Sequence, residues 1–268
     1  MSVGRIVELK EAIGRDLRSR SQSKVDNRVA SSLAECAACV LAVRSANSYE
    51  WMSVFPRICD KKSKERAISS IVSSPLIDVS EIMSYYVSEV AKKLSHKGES
   101  VVLMLAQSQI RGKELFDKAN KIMPPEVEIL LSADRFYGTK NLVDWCQKAG
   151  WHYRIRLKGN LIFEHEGEEI TAADIRRMPK ASVIGACFNG SNIRTNIGYL
   201  HEQNHPEPWI IAMDCNPSKY RILDYAMRCG IECMFSDFKS RGFAITDTHI
   251  TKVDRLEKLI LILTIALY

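Results

Sequence analysis

Two short stretches hold side chains whose types and spacing could do chemistry. In "VEILLSADRFYG", residues 127–138, a run of apolar β-formers ends abruptly in Asp134 and Arg135. A carboxylate is costly to bury unpaired, so its place at the end of a core strand asks for a partner. In "YAMRCGIECMFSDFK", Tyr225, Arg228, Glu232 and Lys239 stand at offsets of 0, 3, 7 and 14. At about 100° per residue, an α-helix gathers all four within about 60° of one face. A carboxylate, two cations and a phenol would then stand in line on one helix face. The same stripe also fits the polar side of an amphipathic surface helix, packed by Ile231, Met234, Phe235 and Phe238.

These residues need elements to position them. Residues 1 to about 94 read as all-helical. Segments 28–44 and 64–73 carry apolar residues at helical spacing, and "DVSEIMSYYVSEVAKKL" opens on candidate N-caps Asp78 and Ser80. After Gly98 the character changes. "SVVLML" (100–105) and "VEILLSA" (127–133) are short continuous apolar runs, as in buried parallel strands. Helical patterns follow each, at 111–122 and 139–150, the second closed by Gly150. "HYRIRLK" alternates as a third strand. This β-α-β-α-β order predicts an α/β core. Residues 159–213 break the alternation with short strands and turn signals, so a β-rich insertion is expected there. From Pro217 the pattern is helical again.

Composition bounds the function. The chain has 268 residues, 46% of them hydrophobic and 26% charged, as in an ordinary globular protein. Of the net charge of +6, residues 1–97 carry +5, with 16 Lys or Arg against 11 Asp or Glu. A basic helical segment points to a polyanion, or simply to a solvated surface. The opening "MSVGRIVELKEAIGRDLRSR" has no apolar stretch of signal-peptide length, and the eight cysteines form no disulfide framework. A reducing, cytoplasmic location is expected. "CAAC" at Cys36–Cys39 has the spacing of half a zinc site, but it lies in a helical Ala/Leu pattern without a second half. "LILILTIALY" is too short to span a bilayer and reads as a buried helix. No G-x-S-x-G elbow, Walker loop or H-E-x-x-H zinc motif is read in support of a small-molecule enzyme.

The spacing Tyr225, Arg228, Glu232, Lys239, followed by "SRGFAITDTHI", resembles the signature of the insertion-sequence-4 family of DDE transposases. "LLSADRFYGT" is similar to the segment that carries that family's second catalytic Asp, and "WCQKAGWHYRIRLKGN" to the stretch after it. The resemblance covers about residues 99–260. It implies a mixed α/β fold: an RNase H-like catalytic core over 98–268, interrupted by the β-rich insertion, behind a helical DNA-binding region at 1–97. It implies Asp134 and Glu232 as catalytic and metal-holding carboxylates, with magnesium ions serving phosphodiester hydrolysis and strand transfer. Tyr225, Arg228 and Lys239 would meet DNA phosphates, and Trp209, in "EPWIIAMD", would stack on a flipped base. The implied partners are DNA at transposon ends and a second copy of the chain, with no membrane.

Two departures from the family pattern bear on activity. The first carboxylate should end the first strand, where "VVLMLAQSQI" has Ala106. Alanine cannot hold a cation. The connection from Ile110 into "RGKELFDKANKIMPP" is also too short for the hairpin that usually completes the sheet. A transposase impaired in catalysis is expected, or a DNA-binding remnant or regulator without catalysis. DNA binding, which depends on Lys and Arg, would survive the loss.

Overall fold

A computed structural model describes residues 3–22, 24–96, 98, 100–105, 112–203, 205–239, 242–248 and 250–268. Ala106 and the rest of the short connection lie outside the described residues. The chain divides into two compact units, Met1–Val90 with Cys233–Tyr268, and Ala91–Glu232.

The first unit is helical. Its elements are α1 (Val3–Arg20), α2 (Asn27–Val43), α3 (Ser48–Trp51), α4 (Lys61–Val72), most of α5 (Val79–Ser95) and α10 (Val253–Leu267). Asp26 caps α2 by accepting from the backbone N–H of Arg28 and Val29, and Arg44 ends it in the left-handed region. Helix α2 is buried on nearly every side, with α1 and α10 against it. The C-terminal apolar run is therefore a core helix, as its all-round hydrophobicity predicts. Cys36 and Cys39 belong to this core. Burial pushes the Cys39 thiol up to about 12, and Cys36 rises for the same reason. Neither has the thiolate character of a metal ligand. Glu35 is buried beside them, held by Arg57 at 2.6 Å and Lys10 at 3.2 Å.

The second unit is built on one mixed sheet. Its strands are β1 (Val101–Leu105), β2 (Ile129–Ala133), β3 (His152–Arg156), β4 (Ile162–His165), β5 (Glu168–Thr171), β6 (Ser182–Phe188), β7 (Arg194–Leu200) and β8 (Trp209–Met213). Their order across the sheet is β1-β2-β3-β8-β7-β6-β4-β5. The first three strands are parallel and joined by α6 (Gly112–Ile122) and α7 (Lys140–Ala149), which Gly150 closes in the left-handed region. The predicted α/β core is thus present. The β-rich segment does not form a sheet of its own. Strand β8 pairs antiparallel with β3, and the remaining strands extend the same sheet outward. Among the described residues β1 pairs only with β2 and stands at the sheet edge. After β8 come α8 (Lys219–Leu223), a 3-10 segment over Asp224–Arg228, and α9 (Cys229–Phe238).

Candidate functional site

The parallel register brings the site to the ends of the central strands. Leu105 pairs with Ala133, and Ala133 with Ile155, so Asp134 emerges one residue beyond the paired strands. Asp134 caps the 3-10 turn Arg135–Tyr137, its Oδ1 accepting the Arg135 backbone N–H at 2.5 Å. That turn lies close over β3. A Cβ on Gly138 would sit 2.6 Å from the Arg156 carbonyl oxygen, so only glycine lets the chain pass there. The carboxylate at the strand end is therefore fixed from both sides.

Glu232 comes from α9. The start of this helix packs near β1: a Cβ on Gly230 would lie 3.4 Å from the Met104 methyl, in ordinary contact. Arg228 then joins the two acids. Its Nη1 donates to Glu232 at 2.8 Å, and its Nη2 lies 3.4 Å from Asp134 Oδ2. The guanidinium is 14% exposed, Asp134 is 23% exposed and Glu232 is 63% exposed. Burial works against the Arg228 charge, but Tyr225, Glu232 and Asp134 hold its pKa above the ordinary guanidinium value. Arg228 Nε is buried and, among the described residues, has no acceptor.

The helical stripe is corrected in one respect. Tyr225 and Arg228 sit on the 3-10 segment, and Lys239 follows the end of α9, so no single α-helix carries all four. The first contacts of the stripe survive, because residues three apart eclipse in a 3-10 helix and Arg228 and Glu232 are four apart across the junction. Lys239 is exposed and belongs to the first unit. Tyr225 is buried at 4% exposure, edge-on to Trp209 with ring centres 5.4 Å apart. Burial raises the Tyr225 pKa against the pull of Arg228 and Arg156, so the phenol stays protonated at neutral pH. Its oxygen meets no hydrogen-bond partner of ordinary geometry among the described residues. Trp209 is 7% exposed and packs with Ile211, Met213, Ile222 and Tyr225, while His205 lies beside its ring at 4.7 Å.

Several supporting residues carry no local sequence signal. Arg154, 4% exposed, donates to the Arg221 carbonyl, to Asp214 at 3.0 Å and to Asp224 at 3.3 Å. It ties the segment carrying Tyr225 and Arg228 to the middle of the sheet. A buried guanidinium is tolerable only when paired in this way. Asp214 also accepts from His152 Nδ1 at 2.5 Å. The exclusion of an H-E-x-x-H motif is corrected by the sequence itself. His201, Glu202 and His205 have the H-E-x-x-H order of a zinc helix. They lie in the segment between β7 and β8 instead, where Glu202 pairs with Lys219 and His201 Nε2 lies 3.3 Å from the His205 carbonyl. None of the described residues of that segment is helical.

The described residues do not fit a two-ion metal centre. Among the described residues, Asp134 and Glu232 are the carboxylates brought together at the strand ends, two acids where a two-ion centre wants three, and they share the Arg228 guanidinium. Among the described residues, no group of three or more His, Cys, Asp or Glu comes together. Nor is any helix among them long and apolar enough to cross a membrane. A family model described as "Transposase DDE domain" matches residues 111–268. No curated protein matches the chain.

Proposed function

The chain belongs to the transposase DDE domain family, whose model spans more than half of its length, and from that membership we propose that it is a DNA-binding transposase of the insertion-sequence-4 type impaired in catalysis. The observation that carries this reading is the single cluster of Asp134, Arg228 and Glu232 at the strand ends. Phosphodiester chemistry in such a site needs a third acid, and the sequence has Ala106 where that acid belongs. Magnesium is the ion the family implies, and Asp134 and Glu232 are the residues that would meet it. Arg228 bridges the two carboxylates.

In this reading the residues bind rather than cleave. Arg228 and Tyr225 are the residues that would meet a DNA phosphate, and because Arg228 Nε and the Tyr225 hydroxyl are both covered, that contact requires the segment carrying them to open. Lys239 adds a cation on the following segment. Trp209 is the ring this reading assigns to an unpaired base, and stacking requires its packing against both His205 and Tyr225 to open. The helical region 1–97, with +5 of the net charge, supplies further phosphate contacts, and 98–268 is the core by descent. The partners proposed are transposon-end DNA and a second copy of the chain, in the cytoplasm.

The test is binding of the purified chain to duplexes from the flanks of its own coding sequence, over a salt series. Each phosphate contact contributes about 0.9 to the log–log salt slope. Arg228→Gln and Lys239→Gln should each flatten the slope by roughly that amount. Retention that is independent of salt and unaffected by both changes would sink the reading. The reading that the chain is a regulator occupying transposon ends differs only in wanting the ends bound in preference to other duplexes.

A further inference from the structure

A second site stands beside the first in the same unit. A cavity of about 450 Å³ opens where β3 runs out, within the range of about 300–1,000 Å³ usual for ligand pockets. Arg135, Arg156, Lys158 and Arg176 line it, and Glu207 is the sole carboxylate among its lining residues. Tyr199 adds an aromatic wall. Four cations around one small cavity repel one another, so an apo site of this kind needs an anion.

Glu207 supplies that anion from within. Its Oε2 lies 2.9 Å from Arg135 Nη1 and 2.9 Å from Arg156 Nη2, so one oxygen bridges two guanidinia. A phosphate oxygen makes the same bridge, with more charge and further acceptors left for Lys158 and Arg176. The Glu207 side chain is 54% exposed, and residues 205–208 around it form no helix or strand, so the carboxylate can leave without unpacking the core. Lys158 is engaged by the Phe136 ring at 5.2 Å.

We propose that this cavity is a phosphate-binding pocket and that Glu207 is its built-in competitor, displaced when a phosphate enters. The expected source of the phosphate is a DNA strand. That source rests on the DNA-binding function proposed above; the pocket itself does not.

The experiment uses the full chain, Glu207→Gln, and the exposed double variant Lys158→Gln/Arg176→Gln. Each is titrated with inorganic phosphate and, separately, with a labelled single-stranded oligonucleotide over a salt series. Glu207→Gln should tighten phosphate binding by about 3- to 10-fold, as expected when two charge-assisted bonds become available. The double variant should weaken it and flatten the oligonucleotide slope by about 1.4, at about 0.7 per contact. Inorganic phosphate should compete with the oligonucleotide. Unchanged phosphate affinity in both variants overturns the pocket while leaving the Arg228 reading intact. Tighter phosphate binding in Glu207→Gln with unchanged oligonucleotide binding keeps the pocket and overturns DNA as its source. A chain that binds no DNA but shows both phosphate effects overturns the proposed function and not the pocket.

Discussion

Arg228→Met is the perturbation with the clearest magnitude. Methionine keeps most of the aliphatic stem and removes the guanidinium. Two arms are lost. The arm to Glu232 is the shorter at 2.8 Å, but its carboxylate is 63% exposed, and an exposed i,i+4 pair is worth only about 0.3–0.5 kcal/mol. The arm to Asp134 is longer at 3.4 Å, but both groups are mostly covered, at 14% and 23% exposure. At an effective dielectric of about 20 the Coulomb attraction there is about 5 kcal/mol before desolvation, which offsets most of it. Removing the cation leaves a partly buried carboxylate unpaired, at a cost of about 2–3 kcal/mol. Chemical denaturation of Arg228→Met, Asp134→Asn, Glu232→Gln and the two double variants isolates each arm. Asparagine at 134 can still cap the following turn, so that contact does not confuse the cycle. The coupling to Asp134 should be about 1 kcal/mol or more, and should exceed the coupling to Glu232. If both couplings vanish, or the shorter arm proves the stronger, burial does not govern this cluster and the argument fails.

Further changes probe the scaffold. Gly138→Ala drives a methyl against the Arg156 carbonyl, so denaturation should show a loss of about 1–3 kcal/mol. Trp209→Ala empties the small cluster it shares with Ile211, Met213, Ile222 and Tyr225, costing about 3–5 kcal/mol in the same assay. Asp214 gives a pH dependence. Burial raises its pKa, but His152 and the Tyr153 backbone N–H outweigh that and hold it below the ordinary value of 3.8. A depressed carboxylate stabilises the fold above its unfolded pKa, and that share is lost as the pH falls through the folded value. The acid limb of a stability–pH curve should therefore be shallower in Asp214→Asn than in the parent chain.

The parts legible in the sequence are those set by local pattern. Continuous apolar runs marked β1 and β2, the acid after Ala133 marked the strand end, and Gly150 marked the stop of α7. What was not legible depends on pairing across distance. The union of β8 with β3 joins residues more than 50 positions apart through short strands whose patterns fit a separate sheet equally well. The 3-10 geometry of Asp224–Arg228 leaves no mark, since the same residues suit an α-helix. The basic cavity draws Arg135, Arg156, Arg176 and Glu207 from separate segments, each an ordinary surface charge by itself. Only the basic alternation in "RIRLK" hinted at it. The run "LILILTIAL" in α10 announced its burial by being apolar on every side, but not that α2 would be its partner.

The central claim is a transposase-family chain that binds DNA and has lost cleavage with its first carboxylate. The most direct measurement is magnesium-dependent cleavage of flank-derived duplexes by the purified chain, alongside Ala106→Asp and Glu232→Gln, with binding measured on the same substrates. The account predicts salt-sensitive binding by the parent chain without cleavage. Even a few kcal/mol of missing transition-state stabilisation lowers the rate by orders of magnitude, at tenfold per about 1.4 kcal/mol. Robust cleavage by the parent chain, abolished in Glu232→Gln, would contradict it.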